Sequence, residues 1–98
     1  MRLGMMLRNS SRAASAALIG DSARAAEALG LDHVWTVDHI AIPPDDCKPS
    51  GGVYFDPLAT LAYVAGCTQR IGLGVAVLVV PYRPALATAN WVATIQAL

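Results

Sequence analysis

Ten consecutive residues, Ile71-Gly72-Leu73-Gly74-Val75-Ala76-Val77-Leu78-Val79-Val80, carry no charge and no alternation of polar with apolar positions. A strand with one wet face alternates. A strand covered on both faces reads as a continuous apolar run, the habit of parallel sheets flanked by helices. The run is about half the length needed to cross a bilayer. Pro81-Tyr82-Arg83-Pro84 ends it. Residues 71–80 therefore read as a doubly buried parallel strand, and the chain is constrained toward an α/β fold.

The neighbouring segments fit. Residues 1–7 read as a short first strand, broken by Arg8-Asn9-Ser10-Ser11. Ser15 is an N-cap for a helix over 16–29, with Leu18, Ser22, Ala25, Ala26 and Leu29 on its expected buried face. Gly30 suits the left-handed residue that follows a helix. Residues 33–37 read as a second strand, with Trp35 in the core and His33 structural. A long loop over 39–55 carries Pro43, Pro44, Pro49, Gly51 and Gly52. Asp56-Pro57 is a capping carboxylate followed by a proline suited to the first helical position. Leu58, Leu61, Ala62 and Ala65 continue that helix at i, i+3, i+4, i+7 spacing, and residues 85–98 read as a third helix. The order βαβαβα fits either the opening of a (β/α)8 barrel or part of an open doubly wound sheet. The first strand-to-helix turn has no G-x-G-x-x-G, and Gly72 and Gly74 lie inside a strand, which argues against a dinucleotide-binding unit.

Composition adds three constraints. The chain is 55% hydrophobic and 14% charged, against roughly 25% charged for an ordinary soluble domain. That balance implies a core larger than 98 residues close alone, so a homo-oligomer is expected. Seven acids balance seven Lys/Arg with no basic run, so no nucleic-acid partner is expected. No signal-like or membrane-spanning segment is read, and the cytoplasm is the expected compartment, with no membrane partner. Cys47, Cys67, His33 and His39 lack metal-ligand spacing, so no metal is expected. Cys67 reads as a small core-side residue and Cys47 as a loop thiol.

Asp38-His39 follows the second strand directly. The C-terminal ends of barrel strands are where chemistry sits, and an acid beside an imidazole is a proton-handling pair. His39 is the candidate proton donor or acceptor. Asp38 either makes a hydrogen bond there, orients His39, or caps a nearby backbone amide. Asn9 either points into the pocket mouth or serves turn chemistry. Tyr82 and Arg83, after the third strand, are placed to meet substrate or a cofactor phosphate, or else Arg83 is a solvated loop charge.

In order along the chain stand Ala25-Ala26-Glu27-Ala28-Leu29-Gly30-Leu31-Asp32, Val34-Trp35 with Asp38-His39, and Asp56-Pro57-Leu58. Arg70-Ile71-Gly72-Leu73-Gly74, Val77-Leu78-Val79, Pro81-Tyr82-Arg83-Pro84 and Val92-Ala93-Thr94-Ile95-Gln96-Ala97-Leu98 follow. Together they resemble the luciferase-like monooxygenase superfamily, and within it the deazaflavin (coenzyme F-420) dependent oxidoreductases. The resemblance implies a (β/α)8 barrel of about 300 residues, of which residues 1–98 are a partial domain: the first three βα units, truncated and inactive alone. It implies hydride transfer between a deazaflavin or flavin and a small organic substrate. It implies His39 as the catalytic residue and Asp38 at the cofactor ring. It also implies a non-prolyl cis peptide or bulge at Ala76-Val77 that supports one face of the ring, with small residues at 74 and 76 admitting it. No residue is assigned to the substrate. The near alternative is an FMN-dependent monooxygenase. An alternative of another class is a non-catalytic piece that folds by self-association. A metal-dependent barrel hydrolase would need more ligands than Asp38 and His39.

Overall fold

Two side-chain caps set where the first two helices begin. Ser15 accepts from the Leu18 amide at 3.1 Å, and Asp56 accepts from the Ala59 amide at 2.9 Å with Pro57 next in line. Each satisfies one of the amide groups a helix start leaves without an intrahelical partner. The computed structural model describes residues 1–98. Its elements are β1 (Gly4–Met6), α1 (Ala16–Ala28), β2 (His33–Thr36), α2 (Pro57–Ala65), β3 (Gly72–Val75), a 3-10 turn (Val80–Tyr82) and α3 (Ala85–Ala97). Gly30 follows α1 with φ +81°, the left-handed position its sequence place implied.

The three strands form one parallel sheet in the order β1-β2-β3. The expected α/β class and the βαβαβα order therefore hold. Register places Met5, Val34 and Leu73 side by side, and these face the helices. Their neighbours in register, Gly4-His33-Gly72 and Met6-Trp35-Gly74, fall on the opposite face because successive side chains alternate.

The strands are shorter than the sequence implied. The first spans Gly4–Met6 within 1–7. The third spans Gly72–Val75 within 71–80 and is half-buried, not doubly buried. Its pairing with β2 continues for one more bond, Ala76 N–H to the Thr36 carbonyl at 2.9 Å. The chain then turns at Ala76-Val77, whose peptide bond is cis, and enters the 3-10 turn. No polar residue marks that turn, so the apolar run concealed it. Trp35 also departs from expectation: it is 36% exposed on the face away from the helices. Its indole leans across Gly74, where a Cβ would come within 2.3–2.8 Å of three indole carbons, and His33 leans likewise across Gly72. The glycines in β3 thus make room for rings from β2, and the flat ring that Gly74 admits here is Trp35's own.

The core joins Leu7, Ile19, Ala23, Ala26, Val34, Val64 and Ile71. On α1 the buried stripe is Ile19, Gly20, Ala23 and Ala26. Of the stripe that periodicity suggested, Ala26 is buried and Ser22 half-buried, but Leu18, Ala25 and Leu29 are exposed. Both stripes are apolar. The closeness of α2 decides between them, with the Tyr63 hydroxyl donating to the Ala16 carbonyl at 3.0 Å. On α2, Leu58 and Leu61 are buried as expected, but Val64 completes the face in place of Ala62 and Ala65.

Glu27 carries a contact that sequence reading missed. Its carboxylate accepts the consecutive amides of Gln69 (3.0 Å), Arg70 (2.7 Å) and Ile71 (2.9 Å), tying the last turn of α1 to the entry of β3. Those amides, that of Arg70 foremost, hold the carboxyl below its ordinary value against partial desolvation. A depressed folded-state pKa gives stability that is present above the unfolded value and lost as pH falls through the folded one. Glu27→Gln is therefore expected to lower the thermal midpoint near neutral pH. The gap from the parent chain should close as pH is taken into the acid range. Thermal melts of both proteins from neutral pH downward check this; a gap that does not change with pH would contradict it.

Candidate active site

At the C-terminal end of the sheet, polar side chains replace the ladder that the short strands abandon. Asn9, fully buried, does most of this. Its Oδ1 accepts from the Val37 amide at 3.0 Å, and its Nδ2 donates to the carbonyls of Val37 (2.7 Å) and Phe55 (3.0 Å). The Asn9 carbonyl accepts from the Phe55 amide at 2.9 Å. One amide side chain thus joins the exits of β1 and β2 to the segment that enters α2. It is part of the scaffold and does not point into a pocket mouth.

Asp38 and His39 part company after β2. The Asp38 side chain is fully buried and spends its oxygens on the loop beyond β3. Oδ2 accepts from the Val79 amide at 3.0 Å and from Arg83 Nε at 3.2 Å, and Oδ1 accepts from Arg83 Nη2 at 2.8 Å. Burial alone would raise the Asp38 carboxyl. The Arg83 and Val79 hydrogen bonds, the guanidinium charge and the neighbouring His39 outweigh it and hold the group below the usual carboxylate range. Arg83 also reaches Asp56 Oδ2 at 2.8 Å, and its side chain is 5% exposed. It is therefore neither a solvated loop charge nor a spare cation for a phosphate. The hydrogen bond to Asp38, against the cost of burial, then that to Asp56, hold it in its charged form.

His39 is exposed. Its ring meets that of Tyr54 edge-on, with centroids 5.3 Å apart. Tyr54 bonds through its hydroxyl to Ser50 and bridges Ser10. Tyr54 was not singled out from the sequence, because nothing local shows that the 39–55 loop folds back beneath His39. Ala76 and Val77 stand exposed just past β3, Val77 at 76%. Val80 and Tyr82 are exposed beyond them. The end of the sheet thus offers an imidazole, a stretch of open backbone with a small side chain at 76, and an apolar rim.

An apolar cavity lies elsewhere. About 540 Å³ opens between α2, β3 and α3, lined by Leu61, Leu73, Leu78, Val92 and Ile95 among others. It holds none of the proton-handling groups. No set of three His, Cys, Asp or Glu side chains converges anywhere in the chain. No helix is long and apolar enough to cross a membrane.

Residues 1–98 match the family described as luciferase-like monooxygenase. The chain belongs to that family. No curated protein matches it. Members of the luciferase-like family use flavin or deazaflavin cofactors, which places this chain in an oxidoreductase superfamily.

Proposed function

We propose that the chain supplies the His39 and Ala76-Val77 part of a deazaflavin (coenzyme F-420) or flavin site, in an oxidoreductase that acts on a small organic molecule. The observation that carries this reading is the pairing of an exposed imidazole after β2 with exposed, small-residue backbone after the neighbouring strand β3. These features fit a flat heterocycle: Ala76-Val77 would back one face of it, and the rim of Val77, Val80 and Tyr82 would take its apolar edge. When bound, the cofactor supplies the hydride chemistry and the protein supplies orientation and protons. His39 gives or takes a proton at its imidazole nitrogens. Tyr54 restrains the ring from one side, and Asp38 holds the β3–α3 loop in place. The first-named cofactor is F-420, with FMN as the alternative.

A second reading, a non-catalytic piece that self-associates, has its own observation. The outer edge of β3 has no strand partner. The thirteen residues of α3 carry no charge and bury Thr88 alone. Unpaired edges and uncovered apolar helices favour association. One experiment separates the readings: sedimentation of the purified chain with FMN or F-420, followed at the visible band of each. Visible absorbance moving with the protein is the expected result, in assemblies larger than a monomer. Assemblies without absorbance favour the second reading, and a colourless monomer contradicts both.

A further inference from the structure

We propose that Arg83 is a positioning residue: held between Asp38 and Asp56, it sets residues 76–83 against the end of β2, and so sets Ala76-Val77 relative to His39. The inference rests on the reading of this end of the sheet as the cofactor site.

Three separate segments meet at one guanidinium. Nε and Nη2 take both oxygens of Asp38, the residue next to His39. Nη2 also takes Asp56 Oδ2, while Asp56 Oδ1 caps α2. Asp38 Oδ2 in turn accepts the Val79 amide. The loop is thus gripped at Val79 and at Arg83 by one buried carboxylate, and is referenced through Asp56 to the start of α2. Packing does the smaller part of this work, since Val77, Val80 and Tyr82 are exposed, Leu78 and Val79 are only half-buried, and none of the core residues lies in the segment. A segment held by polar contacts and little apolar burial opens locally, without opening the core. The planar fork of Arg matches two carboxylates at once; a lysine ammonium is a single point charge without that fork. Conserving the charge at position 83 therefore does not conserve the clamp.

The test uses the full 98-residue chain as parent, Arg83→Lys and Arg83→Met, read by amide hydrogen exchange and by titration with FMN and with F-420. Protection at Val79 should fall at least tenfold in both variants, while amides of α1 and β2 stay within twofold of the parent. The dissociation constant for whichever cofactor the parent binds should rise at least tenfold in both. Val79 protection and affinity retained by Arg83→Lys would overturn the proposal. So would equal loss of protection in α1 and β2, or failure of both variants to fold, since each makes Arg83 a general structural residue. If the parent binds neither cofactor, the site reading fails by itself, and the exchange data alone decide whether Arg83 holds the loop.

Discussion

Replacing Asn9 by Ala is expected to cost about 3 kcal/mol of folding stability or more, because three part-buried groups lose their partner at roughly 1–3 kcal/mol each. The Val37 amide, the Val37 carbonyl and the Phe55 carbonyl all lose the side chain that satisfies them. No backbone is placed to replace it, because β1 ends at Met6 and β2 at Thr36. Small domains hold only about 5–15 kcal/mol in total, so the urea midpoint should fall by roughly a fifth of its parent value or more. Asn9→Asp should be no better. A carboxylate still accepts from Val37 but turns two carbonyls toward a negative charge. Urea unfolding followed by circular dichroism measures both. A midpoint within experimental error of the parent for Asn9→Ala would mean that water satisfies the exits of β1 and β2, and that the site has no fixed scaffold.

His39→Ala should behave in the opposite way. Its ring is exposed and touches Tyr54 edge-on. Removing it should leave the fold intact. If His39 moves the proton that accompanies hydride transfer, turnover should fall about 10²-fold or more, the usual span for a lost general acid or base. Cofactor affinity should stay within about threefold, because the proposed ring support is backbone at Ala76-Val77; an interaction made only in the transition state lowers kcat without weakening binding. The assay follows the visible band of the bound cofactor in a turnover-competent polypeptide that contains residues 1–98. Turnover unchanged within twofold would remove His39 from the chemistry. A parallel loss of affinity and turnover would make it a binding residue.

The two substitutions draw on different sources. The place of His39 was legible because Asp38-His39 ends the apolar run of the second strand. The starts of α1 and α2 were legible because Ser15 and Asp56 act within three residues of themselves. The left-handed Gly30 is local in the same way. The turn at Ala76-Val77 is a different case. Composition favoured an unbroken strand, and only the likeness to a known family marked that peptide bond.

The misread positions are those whose partners lie far along the chain. Asn9 acts on residues 28 and 46 positions away, and Arg83 on Asp38 45 positions away. Nothing near Arg83 distinguishes a buried, doubly paired guanidinium from a loop charge. Trp35 looked like core because an aromatic in a strand usually is; the sheet's pairing put it on the face without helices. The two apolar stripes of α1 were equal until α2 lay against one of them. The sequence by itself determined the order of elements, the helix caps and the place of His39, because turn chemistry and hydrophobic period act over a few residues. Only the tertiary structure decided which stripe is buried, that Asp38 belongs to the loop beyond β3, and that Arg83 holds it there. Those outcomes depend on which distant groups are brought within hydrogen-bonding range, and a one-dimensional pattern does not contain that distance.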